Sequence, residues 1–147
     1  MTMLNKVAAE VVTGDGNFAV HSLTDVTGFG LIGHAREMAL ASKVSLKLHA
    51  NALPLLEGAS ECIRAGYIPA GLKANREFAE CVVAYETGVS EELKTLLFDP
   101  QTAGGLLVSV AAQDAEHLRT ALRNAGVPAV VIGEVLPESK PLISVAP

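Results

Sequence analysis

Leu23-Thr24-Asp25-Val26-Thr27-Gly28-Phe29-Gly30-Leu31-Ile32-Gly33-His34 is the stretch on which the reading of the whole chain turns. An apolar run, Phe18 to Leu23, stops at a hydroxyl–carboxylate pair; three glycines follow at close spacing, and an amphipathic segment then begins. This pattern predicts strand, turn and helix, with one acidic side chain placed at the turn. Glycine lets the backbone take positive φ and come close to a ligand. A helix starting at the same spot offers unpaired N–H groups and the positive end of its dipole, an arrangement that binds anions and phosphates above all. Asp25 would repel a bare phosphate, so the combination makes best sense with a hard cation such as Mg²⁺ between them.

Two other readings of these letters stand beside that one. Gly28-x-Gly30-x-x-Gly33 has the spacing of the dinucleotide-binding fingerprint. That fingerprint needs a strand running straight into the first glycine and an acidic residue roughly 20 positions further on. Here Asp25-Val26-Thr27 intervenes, and the later region reads His49-Ala50-Asn51-Ala52, without a carboxylate. The plainer alternative is a glycine-rich strand-to-helix turn in which Asp25 is a simple N-cap.

At 147 residues the chain is expected to form a single domain over 1–147, large enough for its own core. Half its residues are apolar and 18% are charged, which makes it globular, not disordered. The formal net charge of −5 and the lack of any basic run argue against nucleic acid and against an anionic membrane surface as partners. No apolar stretch has the length of a membrane span and no signal peptide opens the sequence, so a cytoplasmic location is expected. Cys62 and Cys81 lie in apolar surroundings without CxxC spacing and are expected to be reduced core residues. The absence of tryptophan and the scarcity of other aromatics argue against stacking on bases.

Taken in order, Leu4, Val7, Ala8, Val11 and Val12 predict a helix that ends at Gly14-Asp15-Gly16. Phe18 to Leu23 is a strand, and a half-buried helix runs from Leu31 through Ala35, Met38 and Ala39. Val44 to Leu48 alternates as a short strand. Pro54 is expected in the first turn of a helix ended by Gly66, with Leu55, Ala59, Cys62 and Ile63 facing inward. Tyr67 to Asn75 reads as loop, Phe78 to Ala84 as strand, and Ser90 as the cap of a short helix through Leu97. Leu106 to Val110 is an apolar strand; Ala115, Leu118, Leu122 and Ala125 form one face of a helix closed by Gly126 and Pro128. Val130 to Ile132 and Leu142 to Val145 are the last strands. The pattern gives a layered α/β (α+β) domain, one sheet covered by helices.

The opening stretch, LTDVTGFGLIGH, resembles a signature of selenophosphate synthetase (selenide, water dikinase) in its C-terminal domain. Phe98-Asp99-Pro100-Gln101-Thr102-Ala103-Gly104-Gly105-Leu106-Leu107 is similar to that family's DPQTSGGLL, with Ala103 in place of the usual serine. Asn51 to Ala59 and Gly71-Leu72-Lys73-Ala74-Asn75 also fit, in order, so that the likeness covers nearly the whole chain. The first motif alone is shared loosely with aminoimidazole ribonucleotide synthetase and hydrogenase-maturation proteins; the two together are specific.

The resemblance implies a mixed β-sheet flanked by helices, like the C-terminal domain of aminoimidazole ribonucleotide synthetase and partly similar to a ferredoxin-like arrangement. It implies that Asp25 is a magnesium ligand in an ATP site. Thr27, Gly28 and Gly30 on the first turn, and Thr102, Gly104 and Gly105 on the second, are the expected phosphate-facing positions; a tight turn feeding a buried strand explains the second set of letters nearly as well, and the hydroxyls of Thr24 and Thr27 also suit turn stabilisation. Asp99 is either a turn residue or a second ligand. His21 and His34 flank the first turn as hydrogen-bonded structural groups or proton carriers, and His49 and His117 as surface or capping groups.

The implied reaction is selenide, ATP and water to selenophosphate, AMP and phosphate, with ATP and selenide as partners and a homodimer as the full-length state. The family's reactive Cys or selenocysteine, its catalytic Lys and further aspartates belong to an N-terminal half that this sequence does not contain. No catalytic residue is therefore expected in this fragment. The alternatives are a free-standing, non-catalytic binding or regulatory module of the same fold, or a domain of a paralogous ATP-dependent synthetase.

Overall fold

A computed structural model of the chain describes residues 4–14 and 16–147. In chain order its elements are α1 (Lys6–Thr13), β1 (Val20–Asp25), α2 (Gly30–Ser42), β2 (Val44–His49), α3 (Ala59–Arg64), α4 (Ala70–Ala79), β3 (Val83–Tyr85), α5 (Glu91–Leu96), β4 (Leu106–Val110), α6 (Ala115–Asn124), β5 (Gly133–Pro137) and β6 (Ile143–Ala146). A mixed sheet of four strands, ordered β3-β6-β2-β5, is flanked by helices. β2 and β3 run parallel to β6 on either side of it, and β5 closes the β2 edge antiparallel. The remaining strands, β1 and β4, do not join that sheet; they pair antiparallel as a ribbon of their own. The expected single sheet is thus a mixed sheet plus a separate ribbon.

Each sheet carries its own apolar layer. Ile32 and Ala35 of α2, Leu72 and Ala79 of α4, and Leu97 and Phe98 beyond α5 bury against Leu48, Ile143 and Val145 of the larger sheet. Ala8 and Val12 of α1 and Leu118 and Leu122 of α6 bury against Val20, Val108 and Val110 of the ribbon. α6 follows its sequence closely: Leu118 and Leu122 are one turn apart on the inner face. It ends where Gly126 takes φ +77°, with Val127 N–H on Leu122 O and Gly126 N–H on Arg123 O, both 2.9 Å. That doubly bonded glycine stop satisfies carbonyls the helix would otherwise leave open. Ser90 caps α5 as expected, its hydroxyl accepting from Leu93 N–H at 3.2 Å.

Several expectations are corrected. Asp15 of the expected first break lies outside the described residues. Tyr67 to Asn75 is not a loop: Pro69 is the N-cap residue of α4, and Leu72 buries beneath it. Proline just ahead of a helix and glycine within its first turn mark a start as readily as a break, and Gly71 is where Pro100 packs against the helix, 3.3 Å from where a Cβ would sit. The helix runs on to Ala79, so Phe78 is exposed on α4 beneath the Arg36 guanidinium (4.6 Å to the ring centroid) and the strand begins only at Val83. Pro54 precedes α3 instead of opening it, and α3 buries no residue; Leu55 and Cys62 are exposed. Cys81 is exposed too, so neither cysteine is a core residue. Val130 and Val131 are exposed, and the strand lies one step later, at Gly133–Pro137, where pairing with β2 places it. As an edge strand β5 tolerates Pro137.

Candidate functional site

The antiparallel register of the ribbon brings two distant stretches to one end of it. β1 ends at Asp25, β4 starts opposite it at Leu106, and so the Thr24–Gly33 turn leaves where the Asp99–Gly105 turn arrives. The two turns are bonded backbone to backbone: Val26 N–H donates to Gly105 O (3.0 Å), Gly104 N–H to Val26 O (2.9 Å) and Gln101 N–H to Thr27 O (3.0 Å). Ile32 N–H reaches Leu97 O at 3.1 Å, tying the start of α2 to the same segment.

Two asparagines hold the crossing from outside. The Asn75 side-chain amide gives one proton to Gly28 O (2.9 Å) and one to Phe98 O (3.0 Å), bridging both turns from α4. The Asn5 amide donates to Gly104 O at 2.9 Å. On the first turn itself, Thr27 N–H donates to His34 Nε2 at 3.0 Å, and His34 is buried under the exposed ring of Phe29. His34 is thus hydrogen-bonded within the turn, and His21 is exposed on the ribbon. Composition and periodicity give no sign of Asn5 or of the bridging by Asn75, since isolated amides have no spacing pattern; Asn75 stood out only as part of a longer similarity.

The glycines divide into two kinds. Gly30 has φ +69°, and a Cβ there would lie 2.8–3.0 Å from backbone atoms of Phe98 and Asp99; at Gly104 it would strike Val26 O and the Gln101 side chain. These positions are filled by the chain's own crossing. A Cβ at Gly28 or Gly105 would meet nothing within 4 Å, so there the backbone faces open space. Thr102 is exposed, and Thr27 is half-buried with its N–H and carbonyl both engaged.

Asp25 lies on the exposed face of β1, in line with His21 and Leu23. It does not cap α2: the N-cap position is Phe29, and no side chain caps that helix. Among the described residues its carboxylate belongs to no ion pair and to no group of three acidic, His or Cys side chains that could hold a metal. Asp99, across the crossing, is half-buried, and burial alone pushes its carboxyl above the ordinary range. The β1 ribbon is antiparallel, not part of the parallel βαβ unit that a dinucleotide site requires. Neither of two surface hollows, of about 440 and 330 Å³, is lined by the two turns; Asn51, Leu53, Arg64 and Ser90 line part of the first, Lys73 and Arg76 part of the second. At Gly28 and Gly105 the crossing presents open backbone. Among the described residues no helix is long and apolar enough to cross a membrane.

Comparison with known proteins agrees with the fold and places the chain. Selenide, water dikinase 2 of Peptoclostridium acidaminophilum is 43% identical over 146 residues, covering 99% of this chain and 41% of that protein. Selenide, water dikinase of Pelobacter propionicus is 44% identical over 139 residues, covering 94% and 39%. The chain thus spans about two fifths of the length of these curated relatives. The crystal structure of E. coli HypE, a hydrogenase maturation protein, superposes with a TM-score of 0.55 at 19% identity, over 95% of this chain and 34% of that one, a likeness of fold. The family described as AIR synthase related protein, C-terminal domain, matches residues 1–145, and the chain belongs to it.

Proposed function

We propose that this chain is the C-terminal part of an ATP-dependent selenophosphate synthetase, a cytoplasmic enzyme, homodimeric when complete, that converts selenide, ATP and water to selenophosphate, AMP and phosphate. The observation that carries the proposal is the bonded crossing of the two turns, which leaves one uncapped carboxylate, Asp25, beside open backbone at Gly28 and Gly105. Mg²⁺ keeps several waters and binds through one or two carboxylates plus substrate phosphates. An exposed aspartate outside any ion pair among the described residues suits one vertex of such a site and does not complete it. Asp25 would hold the ion, which when bound neutralises phosphate charge as it shifts during transfer.

The rest of the crossing orients. Gly28 and Gly105 let phosphate oxygens approach the main chain, with the Thr27 and Thr102 segments on either side, while Gly30 and Gly104 allow the two turns to lie in contact. Among the described residues, Arg64, Arg76, Lys94 and Arg119 are engaged by nearby glutamates and so are not free to serve phosphoryl transfer. The portion of the relatives' length beyond this chain is where the proposal locates the nucleophile and the cationic groups. Free, exposed Cys62 and Cys81 are in keeping with a reducing compartment.

Product formation from ATP and selenide, followed by ³¹P NMR, tests the proposal. The chain alone is expected to make no selenophosphate and to bind ATP no tighter than about millimolar, because one carboxylate leaves most coordination to water. The same sequence carried in a polypeptide of its relatives' length is expected to turn over. Micromolar ATP binding by the chain alone would instead support a free-standing nucleotide-binding module.

A further inference from the structure

We propose that His34 is the positioning residue of the Asp25 turn, and that it acts as a neutral imidazole with its proton on Nδ1. The inference rests on the synthetase reading for its purpose, and on hydrogen-bond logic for its chemistry. A backbone N–H can only donate, and Thr27 N–H points at His34 Nε2 from 3.0 Å. That nitrogen must present a lone pair, so the ring proton sits on Nδ1. The Thr27 hydroxyl stands 3.2 Å from the same nitrogen, beside the one lone pair that the Thr27 N–H already uses. On the other side of the ring, Glu37 Oε2 lies 4.0 Å from Nδ1, so a negative charge faces the edge that carries the proton.

The consequence is geometric. Thr27 follows Asp25 by two residues and precedes Gly28, the position with open backbone. Its N–H is held by His34, while its carbonyl accepts from Gly30 N–H and Gln101 N–H, both at 3.0 Å. The peptide planes between Asp25 and Gly28 are therefore fixed from the first turn's own helix and from the second turn together. His34 is only 8% exposed and lies under the Phe29 ring, so it acts through the turn and not on a ligand. Removing the acceptor takes from a half-buried N–H its partner among the described residues.

Three measurements on one set of proteins decide the matter. The first is the imidazole ¹⁵N spectrum of the chain at neutral pH, expected to show His34 neutral with the proton on Nδ1. The second is exchange of the Thr27 amide, expected to quicken by at least about tenfold in His34→Leu and to stay slow in His34→Gln, whose side-chain carbonyl reaches the position of Nε2. The third is kcat in the full-length polypeptide, expected to fall at least about tenfold in His34→Leu and to recover in His34→Gln. A proton on Nε2, or a charged ring, overturns the proposal before any variant is made. Faster Thr27 exchange with unchanged kcat overturns the positioning role. A wild-type protein with the Nδ1–H ring but no turnover overturns the synthetase reading instead, and leaves the bond to Thr27 intact.

Discussion

Gly30 has no room for a side chain because Phe98 is already there: a Cβ on Gly30 would lie 2.8 Å from the Phe98 carbonyl carbon and 2.9 Å from its oxygen. The same glycine has φ +69°, a conformation that L-residues enter only at a cost. Phe98 is fully buried and its carbonyl is pinned by Asn75, so the neighbour cannot yield. Gly30→Ala is therefore expected to lower stability by roughly 2–4 kcal/mol, the sum of left-handed strain and overpacking. Urea unfolding checks it, and a loss below about 0.5 kcal/mol would mean that the turns are not in contact as described.

Asn75 should also be costly to lose. Asn75→Leu removes two donors at once; water can replace the one on exposed Gly28 O, but the carbonyl of buried Phe98 is left short of a partner. About 1–2 kcal/mol of destabilisation is expected, or a few degrees in thermal midpoint for a chain of this size. Differential scanning calorimetry reads it. A surface asparagine would give a shift too small to measure.

Both cysteines are expected to react with a thiol-specific disulfide reagent in the native protein, at rates close to those in denaturant, since Cys62 and Cys81 are exposed. Protection of either thiol until unfolding would restore the core position that its apolar neighbours suggest.

Alkaline stability tests Tyr85. Burial, with Glu80 adding to it, pushes this phenol up to about 12, and its hydroxyl lies out of contact with solvent without a hydrogen-bond partner among the described residues. An unfolded tyrosine ionises near 10. Between those values the folded chain keeps a proton that the unfolded chain has lost, so stability is fully present below about pH 10 and drains away as pH rises toward 12. Tyr85→Phe should flatten that limb of the urea-unfolding profile while leaving neutral stability the same or slightly higher. Equal slopes for the two proteins would show that the phenol is not held back.

The local motifs were legible because each is a short piece of chain with its own chemistry. The strand-turn-helix around Asp25, the Ser90 cap and the Gly126 stop all follow from residues within one or two turns of each other. What was not legible depends on partners far along the chain. Val130 to Ile132 has the letters of a strand, yet β2 selects Gly133–Pro137 as its partner. The Gly/Pro-rich start of α4 reads as loop until Pro100 and Phe98 are seen packed on it. The candidate site shows the same division: Asp25 and the glycines announce themselves, but which glycines face open space and which receive the opposing turn is decided only by the ribbon's register.

Asp25→Asn in a full-length polypeptide tests the central claim most directly. Asparagine keeps the shape, and no helix cap is lost because Asp25 does not cap α2. Thermal stability should be unchanged, while turnover of ATP and selenide falls on the order of a hundredfold or more, the scale of losing one preorganised electrostatic contact, and recovers in part as Mg²⁺ is raised. Near-normal turnover in Asp25→Asn would contradict the account, leaving Asp25 as an exposed strand-end residue and the crossing as a piece of architecture alone.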